Sequence, residues 1–584
     1  MDANTIDSFI KGYERLGAWA DVLDGINVFP VADGDTGRNL MVSLAPLKGL
    51  RSRALEETVQ ELLFAGRGNS GNIATRFVAE LLRDGFQDSI YPAVKAGAEN
   101  ARKAVKNPRP GTMLTVLDRL ARSLEGLPSR FDLEDRLEEV LDQIQYAVYE
   151  SPEMLPELRA SGVVDAGALG MLLFLEGLLK GLCNRDDQFR AIRDIFGDRL
   201  EISDEGEKTP EASFCVDFVV RMTADVERSL IEITGAEQSA SLYRFQDCLK
   251  IHLHTSDTQS LKQKVESMGT ILQWQEDDLF DQVKRFHLPV LQSPIHIVTD
   301  AAGSITRDMA QRLGVTLLES YVTLGRDCIP ETSVIPEVLY RAMRDGGKAS
   351  TSQASVFERY QHYDRLVKQY ENVLYLCVGS AYTGNYVVAA EWKKQYDPED
   401  RLTLIDTGAA SGRLAAAVIA TAKYAVRAEN RRQVIGFAQQ AAIKSGEYIF
   451  LDELKYLAAG GRMSKTGAFF GDMLNIKPVV SPEAGGVEKV GIVRTTEAQI
   501  NFALDKLGKS VKDEAGSLVI LEYSDNRQWV QGRCITEIKK IFKRAEILVQ
   551  PLSLTAGVHI GPGAWAVAFY GNPPASADGD PGDE

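Results

Sequence analysis

The sequence predicts a multidomain chain that passes from an all-helical region to an α/β region, and three observations predict it. At 584 residues the chain exceeds what one hydrophobic core organises, since domains typically run to ~100–200 residues. Its apolar residues recur first at helical spacing, then alternate over a short middle stretch, and finally fall into strand–helix pairs. Two polar stretches, EISDEGEKTPEAS at 201–213 and HLPVLQSP at 287–294, separate these regimes.

The first domain is predicted over 1–200. From Thr5 to Leu23, the set Ile6, Phe9, Ile10, Tyr13, Leu16, Ala20 and Leu23 recurs at spacings of three and four, which predicts an amphipathic helix. Similar patterns predict helices over 54–65, 70–84, 112–125, 132–149 and 166–182. Two Gly-rich breaks, Asp33–Gly37 and Gly66–Gly71, are too short to be linkers. A middle domain over 212–286 alternates apolar and polar residues in FCVDFVVRM and CLKIHLHTSD, which predicts strands within a small α+β fold. Over 294–572, the strand IHIVTD, then VLYLCVG before YTGNYVVAAEWKKQ and LTLIDTG before SGRLAAAVIATAKYAV, predict βα units and a mainly parallel sheet. The Pro- and Asp-rich stretch 573–584 is expected to be a disordered tail.

Composition narrows the function. Apolar residues make up 44% and charged residues 25%, an ordinary globular balance. A net charge of -16 repels a phosphate backbone, so nucleic acid is not an expected partner. Six cysteines without paired spacing argue for reduced thiols and a cytoplasmic location. The stretch MDANTIDSFIKGYERL does not read as a signal peptide, and no run approaches ~18 apolar residues. No transmembrane segment is expected, which leaves transient contact with a membrane surface as the only membrane association.

The loop Asn27–Asn39 (NVFPVADGDTGRN) sets Asp33 and Asp35 one residue apart among glycines. Two loop carboxylates suit Mg²⁺, which takes oxygen ligands and keeps waters and substrate phosphates. Asp-Gly is also the commonest turn dipeptide, and a solvated turn accounts for the same residues. The second loop, Gly66–Gly71 (GRGNSG), runs into a helix expected to start near Asn72, where backbone N–H groups suit a phosphate. A tight helix–helix connection is the alternative reading.

These two loops, with PGTMLTV (110–116) and GVVDAGALG (162–170), resemble the four landmarks of the ATP-binding subunit of dihydroxyacetone kinases. The resemblance is closer to the kinase subunit of bacterial fatty acid kinases. It implies an antiparallel eight-helix barrel that binds ATP and Mg²⁺. It further implies that Asp33 and Asp35 are catalytic metal ligands, joined by Asn27 through its amide oxygen, and that Asn39, Gly68, Asn69, Ser70, Gly71, Thr112, Asp165 and Gly167 line the nucleotide site.

In the middle domain, His252 and His254 lie two apart in KIHLHT, so on a strand both imidazoles face one side. That geometry can hold a transition metal if a further ligand is found, and paired surface histidines are its ordinary alternative. The fatty acid kinase resemblance implies a zinc site in which Cys215 joins the two histidines.

Parallel sheets bind ligands beyond the carboxyl ends of their strands, and the residues there are rich in hydroxyls: Thr299 and Asp300, the loop Ser350–Gln353, and Gly379–Gly384. Hydroxyls can hold a carboxylate, although Ser and Thr are also favoured helix caps. VTDAAGSI, TSQAS, VGSAYTGNY, LIDTGAASG, LKYLAAGGRMS, NIKPVV and VHIGPGAWAVAF resemble, in order, the landmarks of the DegV family of fatty-acid-binding proteins over 294–571. A two-lobed α/β fold is implied, with Thr351, Ser352, Ser380 and Thr383 near the lipid carboxylate and Arg462 and His559 near the head group or a partner surface. Ala301, Ala354 and Gly379 depart from that pattern.

Taken together, the resemblances imply a fatty acid kinase that phosphorylates a carboxylate held by the DegV-like domain, passes the acyl phosphate to a downstream acyltransferase or acyl carrier, and works alone or as a homodimer. Two rivals are a kinase for dihydroxyacetone or another small polyol, and a non-catalytic lipid-binding regulatory protein.

Overall fold

The computed structural model describes residues 1–86, 89–126, 133–203, 213–222, 240–286, 293–459 and 477–572. It divides into two compact units, Met1–Leu288 and Pro289–Glu584.

The first unit is helical over its first two hundred residues, as the periodicity predicts. The observed helices include Leu55–Ala65, Gly68–Asp84, Met113–Leu124, Leu133–Tyr149 and Ala166–Leu182. The last of these, AGALGMLLFLEGLLKGL, is buried at every residue but its last. It packs against helix Ala3–Gly17, where a Cβ on Gly177 would lie 2.8 Å from Gly12 Cα, so small residues are what let the backbones touch. The Arg15 guanidinium and Glu176 carboxylate pair at 3.0 Å across this contact with both side chains buried.

Two expectations are corrected here. The amphipathic run from Thr5 to Leu23 is not one helix: Ala3–Gly17 ends and Ala20–Gly25 begins anew. Met41 packs where a Gly17 side chain would be, and the chain turns there. The helix expected near Asn72 starts earlier, at Gly68, so the glycine-rich motif is its first turn and not a loop before it.

Among the described residues four strands complete this unit: β1 (Phe214–Met222), β2 (Ser241–Phe245), β3 (Cys248–Thr255) and β4 (Gly269–Asp278). They form an antiparallel sheet of order β2-β3-β1-β4. One face carries Val216, Phe218, Ile251 and Leu253, which pack with Leu261 and Val265 of helix Thr258–Met268. Because side chains alternate along a strand, the opposite face carries Cys215 and Asp217 on β1 and their cross-strand partners His254 and His252 on β3.

The second unit is α/β. Its four-stranded sheet is parallel, of order β11-β10-β5-β6, from β5 (His296–Asp300), β6 (Val315–Leu318), β10 (Val373–Cys377) and β11 (Leu402–Asp406). Beside it, β7 (Ser320–Leu324), β8 (Asp327–Pro330) and β9 (Ala349–Gln353) form an antiparallel sheet of order β8-β7-β9. The third sheet has order β14-β13-β12-β17-β15-β16 and contains β12 (Ser445–Phe450), β13 (Lys477–Glu483), β14 (Gly486–Val493), β15 (Leu518–Tyr523), β16 (Glu546–Pro551) and β17 (Trp565–Tyr570). Among the described residues of this third sheet only β15 and β16 pair in parallel, so the expectation of a mainly parallel sheet holds for one sheet and not for the unit.

Candidate functional site

In the first unit the acidic loop leads into helix Thr36–Leu44, with Asp35 at its N-cap position. Asn27 is buried and braces this loop: its Nδ2 donates to Asp33 Oδ1 at 2.5 Å, while its Oδ1 accepts from Thr36 Oγ1 at 2.9 Å. The amide oxygen expected to ligate a metal is therefore turned to Thr36, and the amide nitrogen holds Asp33. Burial and the neighbouring Asp35 carboxylate push the Asp33 carboxyl well above the ordinary carboxylate range. A buried carboxylate with a second one beside it is an all-oxygen donor pair of the kind a hard divalent cation takes, so the donor set fits Mg²⁺.

The glycine-rich helix start lies against the same helix. A Cβ on Gly68, whose φ is +63°, would sit 2.5 Å from Asn39 Nδ2, and one on Gly71 would sit 2.0 Å from Ser43 Oγ. Ser70 Oγ, Met113 Cε and Asp165 Oδ1 all lie within 3.5 Å of where a Gly167 Cβ would be. Asn39, Gly68, Ser70, Gly71, Asp165 and Gly167, expected at one nucleotide site, are thus brought together, with Thr112 at the N-cap of the adjoining helix and half-buried Asn69 in the same turn as Ser70. Asp165 caps helix Ala166–Leu182 by accepting from Ala168 N–H at 2.7 Å. Burial pushes its carboxyl up to about 7, against the pull of backbone N–H groups of Ala168, Met113 and Gly167.

The middle sheet turns its polar face to this helix start. Gly68 N–H donates to Asp217 Oδ2 at 3.1 Å, Arg67 Nη2 pairs with Asp277 Oδ2 at 2.7 Å, and Asn72 Nδ2 donates to Ser241 Oγ at 2.9 Å. The Gly68 amide, expected to face a phosphate, is therefore already engaged. Burial opposes the charge of Arg67, but Asp277, Asp35 and Asp217 outweigh it and raise the guanidinium above its ordinary value.

On the same face, ligand atoms of Cys215, His252 and His254 lie within 4.8 Å of one another. Cys215 and His252 are buried and His254 is half-buried. Burial, with His252 beside it, lowers His254 to about 3, which keeps its imidazole neutral and fit to ligate. One sulfur and two imidazoles at this separation fit zinc. Asp217 Oδ2 faces His252 Nδ1 at 3.1 Å, and Cys215 Sγ lies 3.8 Å from the same nitrogen, so the carboxylate orients a ligating imidazole when the ring binds metal through Nε2. Burial opposes ionisation of Asp217, yet His252, Lys250 and the Gly68 N–H hold it below the usual carboxylate range. Sequence reasoning missed Asp217, although its position two residues after Cys215 places it on the same strand face.

In the second unit, Ser350–Gln353 is not a loop but lies in strand β9, paired with β7. The hydroxyls therefore alternate between faces. Thr351 Oγ1 meets His559 Nε2 at 3.0 Å, and Gln353, on the same face two residues on, accepts through Oε1 from Thr383 Oγ1 at 3.0 Å and from Gly384 N–H at 3.3 Å. Ser352 is exposed on the opposite face, so its side chain does not join this group. Ser380 is exposed and donates its N–H to Asp406 Oδ1 at 3.1 Å. Thr351 with His559 and Gln353 with Thr383 thus form two polar pairs on one face of β9, and Gln353 is a member the sequence reading missed. Arg462 lies outside the described residues, as does the stretch 573–584. Among the described residues no helix is long and apolar enough to cross a membrane.

Residues 30–180 match the model of the DAK2 domain, and residues 294–572 match the model of the DegV family. The chain therefore joins a DAK2 domain to a DegV-family domain. It is 26% identical over 390 residues to Protein YloV of Bacillus subtilis, covering 58% of this chain and 68% of that protein. It is 24% identical over 372 residues to an uncharacterized protein of Staphylococcus aureus, covering 57% and 66%. A Mycoplasma pneumoniae protein, the MG369 homolog, is 30% identical over 255 residues, covering 39% and 45%. The chain thus spans about two thirds of the length of the first two relatives and under half of the third. Among solved structures it is similar to DegV, a fatty acid binding protein from Bacillus subtilis, with 19% identity, a TM-score of 0.43 and coverage of 48% of this chain and 100% of that one. A DegV family protein from Thermus thermophilus gives 23% identity, a TM-score of 0.42 and coverage of 48% and 99%.

Proposed function

We propose that this chain is a cytoplasmic fatty acid kinase: its DAK2 domain, an antiparallel eight-helix barrel, binds ATP and Mg²⁺, and its DegV-family domain presents a fatty acid carboxylate for phosphorylation. The observation that carries the reading is a pair of groupings, Asp33 with Asp35 and Ser70 with Asp165 and Gly167, within the DAK2 domain of a chain whose second domain is of the DegV family.

A fatty carboxylate has a pKa near that of Glu, about 4.3, so at neutral pH it is already the nucleophile and no general base is needed. A carboxylate oxygen forms a bond to the γ-phosphorus, the bond from that phosphorus to the β,γ-bridging oxygen breaks, and ADP leaves with the electron pair. The products are acyl phosphate and ADP, and an acyltransferase or acyl carrier would consume the acyl phosphate. Magnesium would supply neutralisation of phosphate charge. Asp33 and Asp35 would hold it, Asn27 would fix Asp33, and the turn Gly68–Gly71 would position the triphosphate. In the DegV-family domain, Thr351, Thr383 and His559 would orient the carboxylate. Burial of about fourteen methylenes at ~0.8 kcal/mol each, roughly 11 kcal/mol gross, would supply most of the affinity.

The test incubates the full chain with ATP, Mg²⁺ and labelled palmitate or oleate and traps acyl phosphate with hydroxylamine. Hydroxamate that depends on Mg²⁺ and disappears in Asp35→Asn is expected. No hydroxamate with any long-chain acid would overturn the assignment, and ATP turnover on dihydroxyacetone in its place would make the chain a polyol kinase.

A further inference from the structure

We propose that Asp217 is a positioning residue that couples a zinc ion in the Cys215/His252/His254 cluster to the conformation of the glycine-rich helix start. A single oxygen, Asp217 Oδ2, accepts from Gly68 N–H at 3.1 Å and faces His252 Nδ1 at 3.1 Å. Asp217 and His252 are both buried, so neither contact is easily exchanged for water. The register makes this more than one hydrogen bond. Cys215 lies opposite His254 on β3 and opposite Asp277 on β4, and Asp277 is the partner of Arg67, the residue before Gly68. Cluster and helix start are therefore tied twice, through Asp217 to Gly68 and through the β1–β4 pair to Arg67.

Gly68 has little freedom to absorb a change at Asp217. Its φ of +63° favours glycine, and Asn39 Nδ2 occupies the space a side chain would need. With zinc on His252 Nε2, the Nδ1–H that Cys215 Sγ approaches at 3.8 Å is left to Asp217 at 3.1 Å, and metal charge strengthens that bond. Occupancy of the cluster thus fixes Asp217, Asp217 fixes the Gly68 amide, and the following N–H groups of the turn are held in one arrangement. If the turn holds a nucleotide, which rests on the function proposed above, zinc and nucleotide bind with reciprocally raised affinities.

The test is hydrogen exchange by mass spectrometry on the full chain, saturated with Zn²⁺ or stripped with EDTA, reading the peptide that spans 66–72. Zinc is expected to slow exchange there at least ~5-fold in the wild type and to have no effect in Asp217→Asn, which still binds zinc, ~10–100-fold more weakly. Cys215→Ala, which keeps Asp217 but disables the cluster, should also leave exchange at 66–72 insensitive to zinc. Zinc-independent exchange in the wild type, or zinc protection that survives in Asp217→Asn, overturns the proposal. Calorimetric titration of Mg·ATP into the zinc-loaded and stripped chain separates the two ideas: zinc protection of 66–72 without nucleotide binding upholds the coupling and removes the nucleotide reading.

Discussion

Replacing Gly71 with alanine should loosen the helix start by an amount that a second substitution largely restores. The new Cβ would stand 2.0 Å from Ser43 Oγ, 3.0 Å from Ser43 Cβ and 3.2 Å from Asn39 O. Ser43 cannot simply rotate away, because its hydroxyl donates to Asn39 O at 2.5 Å and accepts from Arg67 N–H at 2.9 Å. Overpacking costs about 1–3 kcal/mol, and an orphaned buried Arg67 N–H about 1–3 kcal/mol more. A total of roughly 2–6 kcal/mol is therefore expected for Gly71→Ala. Ser43→Ala alone loses only the two hydrogen bonds, about 1–3 kcal/mol. The double variant removes the oxygen that clashes, so it should be more stable than the sum of the two single losses by at least about 1 kcal/mol. Native-state hydrogen exchange of peptides from helix Gly68–Asp84 reads the local opening free energy directly. Additive losses in the double variant, or a Gly71→Ala protein opening as rarely as the wild type, would refute the close approach of the two helices at this point.

Two further outcomes follow from the second unit. Because Thr351 and Ser352 point to opposite faces of β9, Thr351→Val should weaken fatty acid binding several-fold, the worth of one hydrogen bond at about 0.5–1.5 kcal/mol, while Ser352→Ala leaves it unchanged. Displacement of a fluorescent fatty acid measures both, and a larger loss in Ser352→Ala would reverse the assignment of faces. Burial pushes Glu331 up to about 7 from an ordinary 4.5, despite donation from Thr555 N–H and Oγ1. The folded chain therefore holds a proton there that the unfolded chain releases, so this contribution is intact below about pH 4.5 and is lost as pH rises through about 7. The loss is at most ~3 kcal/mol. Glu331→Gln should remove that share of the pH dependence, so urea midpoints of variant and wild type should diverge between pH 5 and pH 8 in favour of the variant.

The parts of the fold readable in the sequence are those where one face of an element is apolar and the other is not. Leu133–Tyr149 and Met113–Leu124 carry such stripes, and both helices lie within a residue of their predicted limits. The predicted strand FCVDFVVRM is β1 itself, since Val216 and Phe218 alternate with Cys215 and Asp217. Legibility fails where a tertiary contact decides the local structure. The stripe from Thr5 to Leu23 runs unbroken through Gly17, and only Met41, twenty-four residues on, gives the reason to turn there. Gly68–Gly71 looks like a loop by composition because its glycines suggest a break. They are glycines because Asn39 and Ser43 come too close for any side chain, and the helix begins at them regardless. Ser350–Gln353 fails for the converse reason: a strand of hydroxyl and amide side chains has no apolar alternation, and it is a strand only because β7 pairs with it.

The candidate sites follow the same division. Motif resemblance picked out residues that carry chemistry of their own, such as Asp33, Asp35, His252 and Thr351, but not the residues that hold them. Asp217 and Gln353 are each two positions along a strand from a residue that was singled out, and each bonds to a backbone N–H of a different segment, Gly68 and Gly384. No spacing in the sequence joins Asp217 to Gly68, because they are 149 positions apart and belong to separately predicted domains. Yet this contact changes the chemistry most: an amide expected to meet phosphate instead meets a carboxylate that also faces the metal cluster. A nucleotide bound at this turn must either use the amides after Gly68 or displace Asp217. The second course would leave His252 without its carboxylate, and only the first keeps both sites intact.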